Sequence, residues 1–371
     1  MALSELSNID FCDTSTTTIE ADIINVYESL SGKKLYPADP VRLFLVSLAQ
    51  IIIQQRVIID FSAKQNLLRY ATGEYLDQVV ALVGVKRLKP SPARCTLKFT
   101  LSDARPSVVS IPKGTRIKAG EVYFLTIDYA QVAAGELHCE VGAECMNSGT
   151  IGNDLLPGQI SELVDVFPYF GSVTNITTSS GGTEEESDDA LRERAFSAPA
   201  SYSTAGSDEA YAFWAKSVSP EVSDVNVISD VAGEVQIIPI GSNGSLLSQE
   251  LLNEILESCS AKNVKPLTDK VSVVQPEEVE YNIEATYYIS KDNVTMSTSI
   301  EQLVDLAIQD YIAWQHSKLG RDINPSELMY HMMKSGIKRL EVTSPTFQAL
   351  TSRQVAKLGT VQLVYGGLED E

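Results

Sequence analysis

The sequence predicts a multidomain α+β protein with an N-terminal helical segment, a small β-rich module, and C-terminal α+β modules with antiparallel sheets. Three observations predict it. The chain has 371 residues, and at roughly 150 residues per domain that suggests two or three domains. Its apolar patterning changes from helical spacing to alternation and then to a mixture of the two. Turn signals separate the three parts, which span about 1–90, 91–183 and 184–371.

The first part reads as helical. Over 19–30, Ile23, Ile24, Tyr27 and Leu30 fit one helix face. Asp39-Pro40 starts the next helix: Asp39 can cap a free backbone N–H, and Pro40 has none to lose at the first helical position. No Gly or Pro interrupts 41–71, so the helix is expected to run to about Tyr70. Its apolar residues, Leu43, Phe44, Val46, Leu48, Ile51, Ile52, Ile53 and Ile58, wrap most of the circumference. Such a helix must be covered on several sides, and the next one, over 74–83, supplies only part of the cover. Two readings stay open: a helix buried inside its own domain, and a helix sharing a bundle with other chains. Membrane insertion is not expected, because Arg42, Gln50, Gln54, Gln55 and Arg56 break the apolar run over 41–61.

The second part reads as β. Cys95, Leu97, Phe99 and Leu101 alternate with Thr96, Lys98 and Thr100. Residues 111–114, IPKG, form a turn, and 115–126 a hairpin around Ala119-Gly120. Further turn residues at Gly149, Gly152, Asn153, Pro157 and Gly158 suggest a small sandwich or barrel-like module. Gly181-Gly182 then reads as a hinge, followed by five acids within 184–189. Adjacent carboxylates lack the interleaved spacing of a calcium loop. They are expected to be solvated and to favour the positive end of a helix over 190–196.

The third part alternates helix and strand. Ser207 and Ser248 cap helices, 299–302 forms a capping box, and Asn324-Pro325 opens a helix that Gly336 closes. Strands are expected over 222–228, 233–240, 270–274 and 279–289. The order α-β-β-α-β-β-α-α-β-β points to α+β modules.

Composition limits the chemistry. Lys plus Arg is 29 and Asp plus Glu is 49, a net charge of −20. That surface repels phosphate backbones and anionic lipid, so no nucleic-acid partner is expected. The polar, acidic first ten residues do not read as a signal peptide. The five widely spaced cysteines, Cys12, Cys95, Cys139, Cys145 and Cys259, read as reduced thiols of a protein made in the cytoplasm. The histidines are His138, His316 and His331. His138 and Cys139 are adjacent, so in a strand they point to opposite faces, which argues against zinc. His316 and His331 lie near expected helix C-termini, where a cation is favourable. Met329, Met332 and Met333 read as adaptable packing. No nucleophile elbow, phosphate loop or HExxH helix occurs. No catalytic, cofactor-binding or metal residue is assigned, and a structural, non-enzymatic role is expected.

An ordered set of blocks resembles the baseplate J-like family of contractile phage tails and related injection particles. The blocks are NLLRYATGEYLD over 66–77 with Gly84-Val85 and Arg87; Phe99-Thr100, IPKGT over 111–115 and Phe124; residues 147–158 and SVTN over 172–175; GGTE over 181–184 with SDDALRER over 187–194; Ala205-Gly206 with Tyr211; and VKPLTD over 264–269. The resemblance implies a wedge component. Two copies would join a smaller wedge protein as a 2:1 heterotrimer whose N-terminal helices form a trimeric bundle. Six wedges would surround the hub, near the proteins that initiate the sheath, and C-terminal domains would link neighbouring wedges into a ring. The wedge would relay the trigger for sheath contraction, with rotation about Gly181-Gly182. The place implied is the baseplate of a phage or of a headless, bacteriocin-like tail. Two alternatives are a receptor-binding or adhesive tail protein and a tail-associated cell-wall hydrolase.

Overall fold

The computed structural model describes residues 6–202, 207–262 and 264–370. Helices α1 (Thr16–Ser31), α2 (Pro40–Lys64) and α3 (Gly73–Ala81) come first. Strands β1 (Pro92–Leu101), β2 (Val109–Ile111), β3 (Arg116–Ala119), β4 (Val122–Thr126), β5 (Ala130–Val132), β6 (His138–Ser148), β7 (Glu162–Leu163) and β8 (Phe170–Asn175) follow. Then come α4 (Asp188–Ser197), α5 (Asp208–Lys216), β9 (Val222–Ile228), β10 (Glu234–Gly241), α6 (Gln249–Cys259), β11 (Lys270–Val273) and β12 (Glu277–Ser290). The chain continues through α7 (Ser297–His316), α8 (Pro325–Lys334), β13 (Arg339–Ser344) and β14 (Gln354–Glu369). These elements form two compact units. One holds the described residues up to Arg87 together with Ser187–Ala198, and the other holds Leu88–Glu186 and the described residues from Pro199 onward. Ala205-Gly206, part of the resemblance, lie outside the described residues.

The first unit is helical. Asp39 accepts from the Val41 N–H at 2.9 Å, with Pro40 in the first turn, as the sequence predicts. The helix stops at Lys64 rather than near Tyr70. No Gly or Pro is needed to stop it. The Asn66 side chain donates to the Ser62 carbonyl and competes for the last helical acceptors, while Gln65 turns inward to accept from the Thr72 N–H at 2.9 Å. Helix α4 belongs to this unit, although the sequence assigns it to the C-terminal region. Arg192 donates to the carbonyls of Leu68 and Ala71, each at 2.9 Å, and Arg194 donates to that of Lys86 at 2.6 Å. Asp188 accepts from the Gly73 N–H and pairs with Arg87, at 2.9 and 2.7 Å. Those two contacts, the backbone bond foremost, hold its carboxyl below the ordinary value. Leu191 and Ala195 of α4 and Leu76 and Val80 of α3 are buried.

The second unit opens with an antiparallel sheet in the order β7-β3-β4-β6-β1-β8. Its end strands β7 and β8 lie against each other, so the sheet rolls into a barrel. Alternation along β1 sends Leu97 and Phe99 into a core with Ile117, Phe124 and Ile160. At Gly181-Gly182, where a hinge is expected, hydrogen bonds hold the chain. The Asn153 side chain holds both the N–H and the carbonyl of Gly182, at 2.9 and 2.8 Å, and Ser91 donates to the Gly181 carbonyl. The bridge between Ser91 and Thr183 follows at once. The pair therefore closes the barrel, and Gly182 is glycine because a Cβ there would lie 2.4 Å from the Gly149 carbonyl oxygen. The acidic run is not fully solvated either. Glu184 accepts from the Thr150 N–H, and buried Glu186 accepts from the Leu88 N–H, both at 2.9 Å.

Two α+β modules complete the unit in the predicted element order. In the first, α5 and α6 cover a sheet ordered β11-β10-β9. In the second, α7 and α8 cover β13-β12-β14. Neither sheet is wholly antiparallel: β11 runs parallel to β10, and β14 parallel to β12. Helix α6 carries the chain back before β11, the connection that parallel strands require. Helix α7 starts at Ser297, ahead of the expected capping box, because a 3₁₀ turn over Lys291–Met296 feeds it. Met332 is buried while Met329 and Met333 are exposed. His316 is at the end of α7 as predicted, but its surroundings disfavour the cation. Burial lowers its pKa, and the Tyr281 hydroxyl lies 3.3 Å from Nε2.

Two outcomes are expected. The Gly182→Ala variant should lose about 1–3 kcal/mol of barrel stability in urea unfolding, because backbone atoms block the added carbon. Burial lowers the His316 pKa in the fold below that of the unfolded chain. Its contribution is therefore complete above the ordinary histidine pKa of roughly 6.5 and is lost as pH falls below it. Melting temperature should fall over that window, and more steeply than in His316→Phe.

Candidate functional site: an exposed apolar helix

Helix α2 turns its charged residues toward its own chain and leaves most of its large apolar ones open. The side facing α1 and the segment before it carries Ala49 and Ile53, with Leu45, Val46, Arg42, Arg56, Asp60 and Lys64 partly covered. Every one of those four charges is engaged. Arg42 donates to the Leu35 carbonyl and Arg56 to that of Asp13, at 3.5 and 3.3 Å. Asp60 accepts from the Phe11 N–H at 2.8 Å, and Lys64 bridges Asp60 and Asp10 at 2.6 and 2.8 Å. The Lys64 ammonium, then the Phe11 N–H, hold the Asp60 carboxyl below its ordinary value. Gln50 donates to Glu20 of α1 at 2.6 Å.

The opposite side is apolar and open. Phe44 is 61% exposed and Ile58 63%, with Leu43, Leu48, Ile51 and Ile52 also exposed. Of the eight residues singled out from sequence, only Ile53, 8% exposed, is taken up by this chain, and Val46 is half-buried. Sequence reasoning missed Val41, Val57, Ile59 and Phe61, which are exposed on the same helix. The missed signal is a heptad. Val41, Phe44, Leu48, Ile51, Gln55 and Ile58 alternate steps of three and four, all are exposed, and together they form a seam of the a and d type. Ile52 and Ile59 widen the face on one flank, Leu43 and Phe61 on the other. A face that wide exceeds what one coiled-coil neighbour covers.

By length and composition α2 could also cross a membrane. It is bound along its polar side to α1, which exposes Asp22 and carries Glu20 and Glu28, and such a pair is poorly suited to hydrocarbon. Among the described residues no cluster of three or more His, Cys, Asp or Glu is placed to hold a metal. Burial pushes the thiols of Cys95 and Cys259 up to about 12, which leaves them protonated at neutral pH.

Family models for three consecutive domains match the chain. The baseplate J-like barrel domain matches residues 96–182, the central domain 203–275 and the C-terminal domain 281–364. The chain belongs to the baseplate J-like family. The three matches fall on the barrel and on the two α+β modules. Helix α2 precedes all of them. Baseplate protein J of Escherichia phage P2 is 30% identical over 50% of this chain and 61% of its own length. The phage-like element PBSX protein XkdT of Bacillus subtilis is 27% identical over 54% of this chain and 50% of its own. This baseplate J-like chain thus spans half to three-fifths of the length of these relatives. A baseplate structure from the anti-feeding prophage aligns over 92% of this chain and 90% of its own at 16% identity, with a TM-score of 0.44. Family and relatives support a baseplate component.

The two sides of α2 should respond differently to truncation in the isolated baseplate J-like chain. Ile53→Ala removes buried methyl groups and should cost about 2–4 kcal/mol, whereas Ile58→Ala should stay within about 0.5 kcal/mol in chemical denaturation.

Proposed function

We propose that this chain is a structural wedge component of a contractile-tail baseplate, in a phage or a tail-like bacteriocin particle. In this reading α2 is the helix it contributes to a three-helix bundle, alongside a second copy of the chain and a smaller wedge protein in a 2:1 complex. The observation that carries the reading is the open heptad face of α2, flanked by further apolar residues on both sides. One neighbour would take the seam of Phe44, Ile51 and Ile58, and a second the flank of Ile52 and Ile59. The polar Gln55 within the seam would fix register, as single polar residues do in coiled coils. Wedges so built would surround the hub and sheath-initiating proteins, and the C-terminal modules would link neighbours into a ring. A wedge so placed would relay the trigger for sheath contraction.

Co-expression with the neighbouring tail genes, followed by native mass measurement, tests this. A 2:1 complex is expected. The combined changes Phe44→Asp, Ile51→Asp and Ile58→Asp should abolish it without lowering the melting temperature of the isolated chain, since each side chain contributes about 1.5–3 kcal/mol only when a partner covers it. Monomer with every candidate partner, or flotation of the wild-type chain with phosphatidylcholine vesicles that the same changes prevent, would refute the bundle.

A further inference from the structure

The last strand, β14, is an open edge. It pairs with β12 on one side, and among the described residues no strand lies on the other. Proteins usually shield long edges with charge, Pro or a covering loop. Here Val361, Val364, Tyr365 and Leu368 are exposed along it. Beside it runs an open groove of about 610 Å³ between β14 and α7, lined by Leu306, Ile308, Val361 and Leu363 with Asp305 on the wall.

The strand is symmetric about Leu363. On the α7 face it presents Leu358, Val361, Leu363, Tyr365 and Leu368, opposite buried Tyr281, Ile283, Ala285, Tyr287 and Ile289 of β12. Those positions mirror one another about Leu363, Val361 with Tyr365 and Leu358 with Leu368. Its two irregularities mirror as well. Gly359 and Thr360 stand against Asn282, and Gly366 and Gly367 against Tyr288. The first is pinned by Asn282, which accepts from the Thr360 N–H at 2.8 Å, and the ring of Tyr288 occupies the space beside Gly366. Lys357 and Glu369 are each six residues from the centre, and each is paired within the chain, Lys357 with Glu278 and Glu369 with Arg339.

We propose that β14 pairs antiparallel with β14 of a second copy, with Leu363 opposite itself, joining two three-stranded sheets into one of six. In that register every apolar residue of the α7 face meets an apolar residue, and each irregularity meets one of equal length. Cross-strand pairs of those kinds are favourable. The two-fold axis is normal to the sheet, so both α7 helices stay on one face and the grooves beside Leu306 face each other across the new seam. An unrelated extended segment would satisfy the open edge but has no reason to find it palindromic. As an account of how copies in one particle meet, the proposal rests on the assembly reading above. The strand chemistry does not, and it uses none of the α2 residues.

Cysteine crosslinking in the full chain tests the register. Directly opposed residues in an antiparallel pair have Cα atoms about 4.5–5.5 Å apart, within disulfide range. Leu363→Cys should therefore give a covalent dimer on mild oxidation. Val361→Cys, whose counterpart is displaced by four residues or roughly 13 Å, should behave as wild type. The result should be the same in the chain carrying Phe44→Asp, Ile51→Asp and Ile58→Asp, which separates this interface from the bundle. In sedimentation equilibrium, Leu363→Lys should weaken the dimer at least 100-fold. A wild-type chain that stays monomeric at about 100 μM without crosslinking at 363, or crosslinking equal at 361 and 363, would overturn the proposal.

Discussion

Helix α2 carries more apolar circumference than its own chain can cover, and the arrangement around it follows from that excess. Surface helices ordinarily bury their apolar stripe and solvate their charges. Here Arg42, Arg56, Asp60 and Lys64 turn toward the chain, while Phe44, Ile51 and Ile58 turn away from it. The inversion is stable because each charge finds a fixed partner in α1's neighbourhood: a carbonyl, an amide or an opposite charge. Such contacts are individually modest at the surface. Their effect is to anchor the N-terminal segment on the side of α2 that a helical partner could not use, which leaves the apolar face undivided.

The same logic accounts for α4. A helix encoded after the barrel is recruited to the N-terminal unit because the 65–87 connection has carbonyls that its own short turns leave unpaired. Arg192 and Arg194 reach Leu68, Ala71 and Lys86, and Asp188 takes the Gly73 amide and the Arg87 guanidinium. The acids of the run over 184–189 are divided between two tasks. Glu184 and Glu186 satisfy amides of the barrel unit, and Asp188 and Asp189 sit in the first turn of α4, where the helix dipole favours them.

Much of the fold was legible in the sequence because local signals and tertiary outcome agree. Asp39-Pro40, Ser207, Ser248 and Asn324-Pro325 cap the helices they announce. Alternation marks β1, and β9 falls on 222–228 as read. What escaped was non-local. The parallel pairings of β11 and β14 depend on where the chain returns, not on any strand's own residues. Gly181-Gly182 reads as a hinge only while Asn153 and Ser91, far away in sequence, are out of view. For the candidate site, the excess of apolar residues on α2 was visible, but its direction was not. Only the placement of α1 separates Ile53 from Ile52, and only then does the seam through Val41, Gln55 and Ile58 stand apart from the covered side.

The chain's charge constrains what kind of contact can hold copies of it together. At −20 per chain, two copies repel at long range, and the repulsion is screened only beyond about 10 Å at moderate salt. Attraction must therefore be short-ranged. Two surfaces meet that condition in different ways. The α2 face offers apolar area with no hydrogen-bonding demand, so its selectivity has to come from the heptad and from Gln55. The β14 edge offers directional backbone groups, so its selectivity comes from register, and its glycines and apolar residues are spaced to suit only one. Charge is nearly absent from the centre of both surfaces; on β14 it returns at the ends, at Lys357 and Glu369. For an acidic protein that associates with itself in the way proposed above, such surfaces are favoured, since a charged contact between identical copies has to be balanced by symmetry or it adds to the repulsion.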